Sequence, residues 1–334
     1  MSPRSAIPVN VRQRERLARA VATVLPAYGC APQATFELLS ISENATYLVD
    51  DPQRGPSVLR LHRRGYLRRQ EILSELVWTG TLRKAGLRTA AVIPTLAGDL
   101  IASIYDAPLA DERHCVMFEL LPGGAVDRGG RTSWAERVGQ LAAQMHEVSQ
   151  SWTPPAWFAR PAWDADTIVG EVARWGSWRD GPARTKSQEA LLRRTQEMVQ
   201  ARMRAFDAAA DGLGRVLVHA DLRLANLLED GHDVSVIDFD DMSWSWPLWD
   251  LIGYVRNKEH DDNLAEVIDR WLAGYRSILP LSDTAVAAVP TLMMASRLQT
   301  LGWLGTHAET DLALGHGAEY LTATCELAEE FVAG

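Results

Sequence analysis

The sequence predicts an α+β chain of two lobes, a small first lobe with a five-stranded antiparallel sheet plus helices, and a large, mainly helical second lobe. Short runs rich in β-branched and aromatic residues crowd the chain before residue 121, whereas helical periodicity dominates from residue 132 onward. Between them lies Leu-Pro-Gly-Gly at 121–124, two glycines and a proline that break regular structure. We therefore expect a first lobe at 1–120, a hinge at 121–124 and a second lobe at 125–334.

The first lobe is expected to combine this sheet with two helices. Apolar residues at helical spacing predict helices over 11–27 and 70–85, and Gly86 is suited to end the second. The strand patterns that we combine into the sheet are 35–42, 46–50, 57–62, 91–94, 99–105 and 115–120.

The second lobe is expected to be built from long amphipathic helices. These are predicted at 132–150, 186–208, 262–276, 284–305 and 316–332. Residues 151–182 are rich in proline and tryptophan, and a flexible linker does not carry so many large aromatic side chains. We interpret this stretch as an ordered insertion that either roofs a substrate cleft or packs on the second lobe.

Composition excludes several classes of protein. The net charge of −9 provides no basic field for nucleic acid. Cys30, Cys115 and Cys325 are scattered without metal-binding or disulfide spacing, which fits a reducing cytoplasm. No apolar run has membrane-spanning length and no signal-peptide core follows Met1, so we expect a cytoplasmic protein with no membrane partner. The sequence leaves the oligomeric state open.

Polar side chains cluster around two short apolar runs, Val216–Val218 and Val234–Ile237, which we expect to form a buried hairpin. The first run leads into His219, Asp221 and Asn226, and the second ends in Asp238, Asp240 and Asp241, with a polar turn at 229–233. Carboxylates and an amide make a poor core. They are suited to holding a divalent cation beside a hydroxyl group.

The order and spacing of these residues carry a family resemblance. Asp221 and Asn226 match the D-x-x-x-x-N of a kinase catalytic loop, and Ile237-Asp238-Phe239 stands where kinases keep a metal-binding Asp. The chain resembles the aminoglycoside phosphotransferase and homoserine-kinase-like phosphotransferase enzyme family, which has a protein-kinase-like fold. The resemblance implies ATP and Mg²⁺ as cofactors, Asp221 as the residue that orients the acceptor hydroxyl, and His219 as a brace of the loop. It also implies Asn226 and Asp238 as metal ligands, with Asp240 as an additional carboxylate.

The same family resemblance implies which residues bind the nucleotide. It implies that Ser42 and Asn44, in a turn without glycine, face the phosphates, and that backbone groups around Glu119 and Leu120 meet the adenine edge. Arg60 stands where kinases carry a phosphate-binding Lys, in a chain with only three lysines, and Glu75 is its expected partner. An ordinary hairpin turn at Ser42 and a solvated strand arginine at 60 are the alternatives.

The resemblance also implies that Asp250 braces the catalytic loop and that His146 has a structural role. A short, Trp-rich link follows Asp241 where protein kinases place a long activation segment, which favours a small acceptor over a peptide. We therefore expect an ATP- and Mg²⁺-dependent kinase acting on a hydroxyl of a small molecule, such as an aminoglycoside-like antibiotic, an amino alcohol or a metabolite. The alternatives are a Ser/Thr protein kinase of the stress-response type and a nucleotide-binding pseudokinase regulator.

Overall fold

The chain divides into two compact units. The computed structural model describes residues 11–41, 44–106, 111–126, 130–208, 214–231, 233–308 and 311–334. The first unit contains Met1–Gly124, Pro154–Ala159 and Leu228–Asp240, and the second contains Ala125–Thr153, Arg160–Leu227 and Asp241–Gly334. None of the helices in the described ranges combines the length and hydropathy that a membrane span requires.

An antiparallel sheet forms the centre of the first unit. Its strands run in the order β1-β2-β3-β6-β4, and β5 pairs with β6 on the same sheet. Their bounds are β1 Thr35–Ile41, β2 Ala45–Asp51, β3 Gly55–Leu61, β4 Val92–Ile93, β5 Ala102–Asp106 and β6 Asp111–Glu119. The sheet has six strands, one from each of the six strand patterns in the sequence, so the predicted number of five is wrong.

Two apolar cores cover the two faces of this sheet. Helix α1, Val11–Val24, packs on one face with the 3₁₀ turn Leu25–Tyr28, against residues that include Leu59 and Met117. Helix α2, Arg69–Lys84, packs on the other face against Val116 and Phe118. Side chains alternate along a strand, so Arg60, which follows Leu59, lies on the face of α2.

A β-hairpin is present near the predicted site, but its strands differ from the prediction. Strand β9, Leu227–Asp230, pairs with β10, Asp233–Val236, whereas β8, Val216–Val218, pairs with β11, Ser243–Ser245. The expected pairing of the run at 216–218 with the run at 234–237 is wrong. The 3₁₀ turn Leu224–Asn226 redirects the chain, so that a new strand begins at Leu227. A short strand, β7, lies at Gly124–Ala125.

Helices dominate the second unit. They are α3 Arg131–Ser151, α4 Ala165–Val169, α5 Lys186–Ala208, α6 Leu248–Val255, α7 Leu264–Arg276, α8 Asp283–Val286, α9 Val289–Thr306 and α10 Asp311–Ala333. The single helix predicted at 284–305 is two helices, α8 and α9. Pro290 lies in the first turn of α9, where its missing N–H leaves no hydrogen bond unmade.

The Trp-rich stretch at 151–182 is ordered, as predicted, and most of it packs into the protein. Trp163 and Trp178 are fully buried in the second unit, whereas Trp157 remains partly exposed. Trp175 has a different environment, since it touches Trp163 at 5.6 Å between ring centroids and lies under the guanidinium of Arg256 at 5.3 Å. The packing interpretation therefore holds for Trp163 and Trp178.

Helices α3 and α7 approach each other closely because each presents a glycine at the contact. A Cβ atom added to Gly139 would stand 2.0 Å from the carbonyl oxygen of Trp271, and one added to Gly274 would stand 1.9 Å from that of Glu136. Backbone atoms cannot yield as a flexible side chain can. These two glycines therefore set the separation of the two helices.

We expect Gly274→Ala to lower the free energy of unfolding by about 3 kcal/mol, because the new methyl group has to push two helix backbones apart. Gly315→Ala in α10 is the matched control, since nothing lies within 4 Å of the added Cβ there. The control should gain roughly 0.5–1 kcal/mol from helix propensity. Denaturant unfolding measures both, and a Gly274→Ala protein as stable as the control would contradict this packing.

Candidate active site

The loop that follows β8 brings two of the predicted site residues together. Asn226 Nδ2 donates hydrogen bonds of 2.9 Å to both the backbone carbonyl oxygen and the carboxylate Oδ2 of Asp221. Asn226 is buried at the end of its 3₁₀ turn, and the Asp221 side chain keeps 17% of its surface exposed. The loop therefore holds a carboxylate and an amide at one point, with the carboxylate still accessible.

A fully buried carboxylate, that of Asp250 on α6, holds the backbone of this loop. Its Oδ2 accepts the N–H of His219 at 3.1 Å, and its Oδ1 accepts the N–H of Ala220 at 2.7 Å. Ala220 has φ of 68°, a left-handed conformation that costs a residue with a side chain energy. The hydrogen bonds of the Asp250 carboxylate compensate for that cost. They also fix the backbone conformation directly before Asp221 and so its orientation. The predicted brace is present.

His146 on α3 supports Asp250 from the other side. Its Nε2 lies 2.9 Å from Asp250 Oδ2, and its Nδ1 lies 3.1 Å from the hydroxyl of Tyr275. A carboxylate only accepts, so Nε2 carries a proton, and in the neutral imidazole Nδ1 then accepts from the Tyr275 hydroxyl. Burial, with a smaller effect of Asp250, raises the pKa of Tyr275 and keeps this phenol a donor. His146 therefore has the structural role that was predicted.

Two arginines contact the carboxylate of Asp221, Arg223 from within the loop and Arg256 from the end of α6. Arg223 Nε is 2.9 Å from Asp221 Oδ2, and Arg256 Nη1 is 3.6 Å from Oδ1. Arg256 also donates to the carbonyl oxygen of Ala220 at 3.4 Å. The sequence gives one indication that Arg256 is close to the loop, because Arg256 directly follows the helix that carries Asp250. Its contact with the loop depends on how α6 packs, which periodicity does not reveal.

In the first unit, Arg60 joins two carboxylates. Its Nη1 lies 2.6 Å from Glu75 Oε1 on α2, as predicted, and its Nη2 lies 3.2 Å from Asp238 Oδ1. The guanidinium also stands over the ring of Phe118 at 5.2 Å. Burial alone would lower the pKa of Arg60, but the carboxylates, Glu75 first, outweigh it and raise the pKa. The alternative of a solvated strand arginine is therefore wrong, and Arg60 is a buried, charged group.

The other predicted nucleotide-side residues have separate environments. Asn44 is buried, and its Nδ2 donates to Asp240 Oδ2 at 2.8 Å, while its Oδ1 accepts the N–H of Arg63 at 3.0 Å. Ser42 lies outside the described residues. The side chains of Glu119 and Leu120 are exposed, and the N–H of Glu119 is already bonded to the carbonyl of Ala91. A base contact at Glu119 therefore cannot use that N–H.

Asp238 and Asp240 have the donor chemistry that a hard divalent cation requires. Asp238 has φ of 70°, a conformation that is unusual outside glycine and that re-aims its side chain, which is 39% exposed. Within the described ranges no group of three or more His, Cys, Asp or Glu could hold a metal by itself. Mg²⁺ is commonly bound by one or two carboxylates together with phosphate oxygens, and this pair fits that mode.

Replacing Asp250 tests the brace of the catalytic loop. Asp250→Asn substitutes an NH₂ for one acceptor oxygen, so at least one N–H of His219, Ala220 or His146 loses its partner in the core. We expect a loss of about 2–4 kcal/mol in unfolding free energy and faster hydrogen exchange at the amides of residues 219 and 220. The exposed Asp261→Asn should stay within about 1 kcal/mol of the wild type. Unchanged exchange at both amides would contradict the brace.

Comparisons with known proteins identify the family of the chain. The model of the phosphotransferase enzyme family matches residues 35–285. A solved structure of the microcompartment-associated aminopropanol kinase is 34% identical, covers 95% of this chain and 98% of its own, and superposes with a TM-score of 0.85. A Deinococcus radiodurans protein called "Uncharacterized protein" is 30% identical over 308 residues, 90% of this chain and 83% of its own.

A third relative is more distant. The amicoumacin kinase of Bacillus subtilis is 23% identical over 248 residues, 70% of this chain and 69% of its own. The family model spans well over half of the chain, and the 30% identical relative matches over nearly all of it. The chain belongs to the phosphotransferase enzyme family.

Proposed function

We propose that this phosphotransferase transfers the γ-phosphoryl group of ATP to the hydroxyl of a small amino alcohol in the cytoplasm, with Mg²⁺ as the metal. The observation that carries the proposal is the likeness to aminopropanol kinase, at 34% identity over nearly the whole of both chains. The other named relative is the kinase of a small molecule, amicoumacin. These relatives support a small-molecule acceptor over the Ser/Thr protein kinase alternative. The free thiols of the three cysteines suit a reducing compartment.

The residues of the catalytic loop would orient the acceptor. Asp221 accepts the hydrogen bond of the reacting hydroxyl and so directs its oxygen towards the phosphorus. Asn226 holds Asp221 through its amide and offers its Oδ1 to a metal ion. His219 positions the loop backbone through its N–H on Asp250. Arg223 and Arg256 offset the negative charge that gathers around Asp221.

The residues of the first unit would hold the nucleotide. Asp238 and Asp240 bind the divalent cation, which when bound neutralises charge between the phosphate groups. Arg60, held by Glu75, grips phosphate oxygens with a fork that a lysine lacks. Asn44 orients Asp240, and Ser42 lies in the turn over the phosphates. The adenine edge meets the carbonyl side of the chain at Glu119 and Leu120.

We also propose the division of labour between lobes that the sequence suggested. Residues 1–120 form the nucleotide-binding lobe, residues 121–124 the hinge, and residues 125–334 the catalytic and acceptor-binding lobe. The close approach at Gly123, where an added Cβ would stand 2.3 Å from the carbonyl oxygen of Glu229, supports a fixed path of the chain at the hinge. Gly123 has φ of 97°, which L residues rarely adopt.

Substitutions of Arg60 and Glu75 test how the enzyme binds the phosphates of ATP. Arg60→Ala should raise the KM for ATP and lower kcat, and Arg60→Lys should restore only part of each, because an ammonium cannot copy the bidentate fork. Glu75→Gln should resemble Arg60→Ala, and the double variant should lose less than the sum of the two. Steady-state kinetics at varied ATP measure this. Normal ATP kinetics in Arg60→Ala would show that other groups hold the phosphates.

A substrate panel tests the reaction. The enzyme is incubated with ATP, Mg²⁺ and each of several amino alcohols, diols, aminoglycosides and amicoumacin, and phosphate gain is read by mass spectrometry. We expect the fastest turnover with an amino alcohol. Asp221→Asn should reduce kcat by roughly 10²–10⁴-fold while the affinity for ATP changes only a few-fold.

Three outcomes would count against the proposal. If only the antibiotics were phosphorylated, the acceptor would be an antibiotic and not an amino alcohol, although the reaction would still be a phosphoryl transfer. Near-normal turnover in Asp221→Asn would remove Asp221 from its role. Labelling of protein bands in a cell extract, with no small molecule modified, would favour the protein kinase alternative.

A further inference from the structure

The side chain of Gln299 on α9 is buried, but its amide makes no hydrogen bond to the described residues. It exposes 1% of its surface, and neither its Nε2 nor its Oε1 has a hydrogen-bond partner among the residues that the structure describes. A buried amide of this kind costs free energy, since it has given up its hydrogen bonds to water. An ordered water, an ion or a bound ligand can supply the missing partners of such a group.

The neighbours of Gln299 on α9 show which way its side chain faces. Ser296, one turn before it, accepts a 3.2 Å hydrogen bond from Arg256 Nε. Thr306, on the adjoining stripe of the helix, donates to the carbonyl of Trp175 at 3.1 Å. Gln299 lies between these two contacts around the helix axis. It therefore faces the same side as Arg256 and Trp175, whose cation–π contact measures 5.3 Å.

This side of α9 leads to the catalytic loop. Arg256 touches Asp221 at 3.6 Å with one nitrogen while another bonds Ser296. One guanidinium thus links the helix that carries Gln299 to the carboxylate that would orient the acceptor. A small molecule whose hydroxyl meets Asp221 would extend along Arg256 and Trp175 towards Gln299.

Arg256, beside this path, already binds Asp221 at 3.6 Å and Ser296 at 3.2 Å. The amide of Gln299 adds a neutral polar group to the side of α9 that faces Arg256. It offers one acceptor, Oε1, and a donor, Nε2.

We propose that Gln299 is a specificity residue that hydrogen-bonds the phosphate acceptor, with Oε1 accepting from an amino group and Nε2 donating to an oxygen of the same molecule. This inference rests on the proposed amino alcohol kinase function and adds the residue that distinguishes an amino alcohol from a plain alcohol or a diol. Ser296, Arg256 and Trp175 form the wall beside it.

Two substitutions at this position have opposite expected effects on selectivity. Gln299→Leu removes both polar atoms at similar volume, so kcat/KM for the amino alcohol should fall roughly 10- to 100-fold, mainly through KM. Gln299→Glu keeps an acceptor and adds negative charge, so the ratio of kcat/KM for an amino alcohol to that for the matching diol should rise. The KM for ATP should stay within a few-fold in both.

Thermal unfolding separates recognition from a structural role. Removing an unpartnered buried amide should leave the Tm of Gln299→Leu unchanged or higher, whereas removing a structural hydrogen bond would lower it. Thr322→Val in α10 is the matched control, since its exposed hydroxyl bonds only the helix backbone at Ala318 among the contacts described, and it should leave acceptor kinetics unchanged.

The outcomes distinguish this inference from the proposed function. If the wild type phosphorylates amino alcohols and Gln299→Leu keeps the same acceptor KM and selectivity, the inference is overturned and the function stands. If the wild type phosphorylates a different acceptor, the function is overturned, and the same comparison with that acceptor decides on Gln299. If no acceptor in the panel reacts, a Gln299→Leu protein with a lowered Tm overturns the inference by itself.

Discussion

The buried carboxylate of Asp250 is the interaction on which the rest of the catalytic region depends. An ionised group without exposure is tolerable only where hydrogen bonds replace its water, and here two backbone N–H groups and the imidazole of His146 do so. Those two N–H groups belong to the residues that immediately precede Asp221. The backbone from which the Asp221 carboxylate extends is thus held by hydrogen bonds to helix α6. Gly253 on the same helix lets the loop approach, because an added Cβ there would stand 3.2 Å from the carbonyl oxygen of Ala220.

Arginine stands in this chain at the strand position where most kinases carry a lysine, and its geometry changes the contacts made there. A lysine at position 60 would present one compact ammonium, whereas the guanidinium of Arg60 reaches Glu75 with one nitrogen and Asp238 with another. The strand arginine, the α2 carboxylate and the proposed metal ligand are therefore linked before any nucleotide binds. Near the catalytic loop Arg256 is similar, since its nitrogens divide between Asp221, Ala220 and Ser296. A planar fork that is always charged can organise several acceptors at once, and a lysine at either place would leave some of them unpaired.

Much of this could be predicted from the sequence, and what could not has a physical reason. Local spacing places Asp221 and Asn226 in one loop, and the family resemblance predicted the contact of Arg60 with Glu75, which is present. Strand pairing is a long-range property, and the runs at 216–218 and 234–237 looked like partners only because both are short and apolar. Their true partners, β11 and β9, lack such a pattern. The places of Arg256 and Gln299 depend on how α6 and α9 pack, and neither residue stands in a recognisable motif. The acceptor side is for this reason the part of the site that sequence reasoning describes least.

Backbone strain and buried polarity gather in the same regions of the molecule. Within the described chain the residues other than glycine with positive φ are Ala220, Asp238 and Asn257, and each adjoins or is a group of the proposed site. Each costs on the order of 1–3 kcal/mol, and the unpartnered amide of Gln299 adds a further cost in the second unit. A sequence selected for stability alone would place glycine at the three strained positions and leucine at 299. That the chain keeps Ala, Asp, Asn and Gln there indicates that the direction of Asp221, Asp238 and Arg256, and the polarity beside them, matter more than the stability they cost. The apolar cores of the two units supply the burial that offsets these costs.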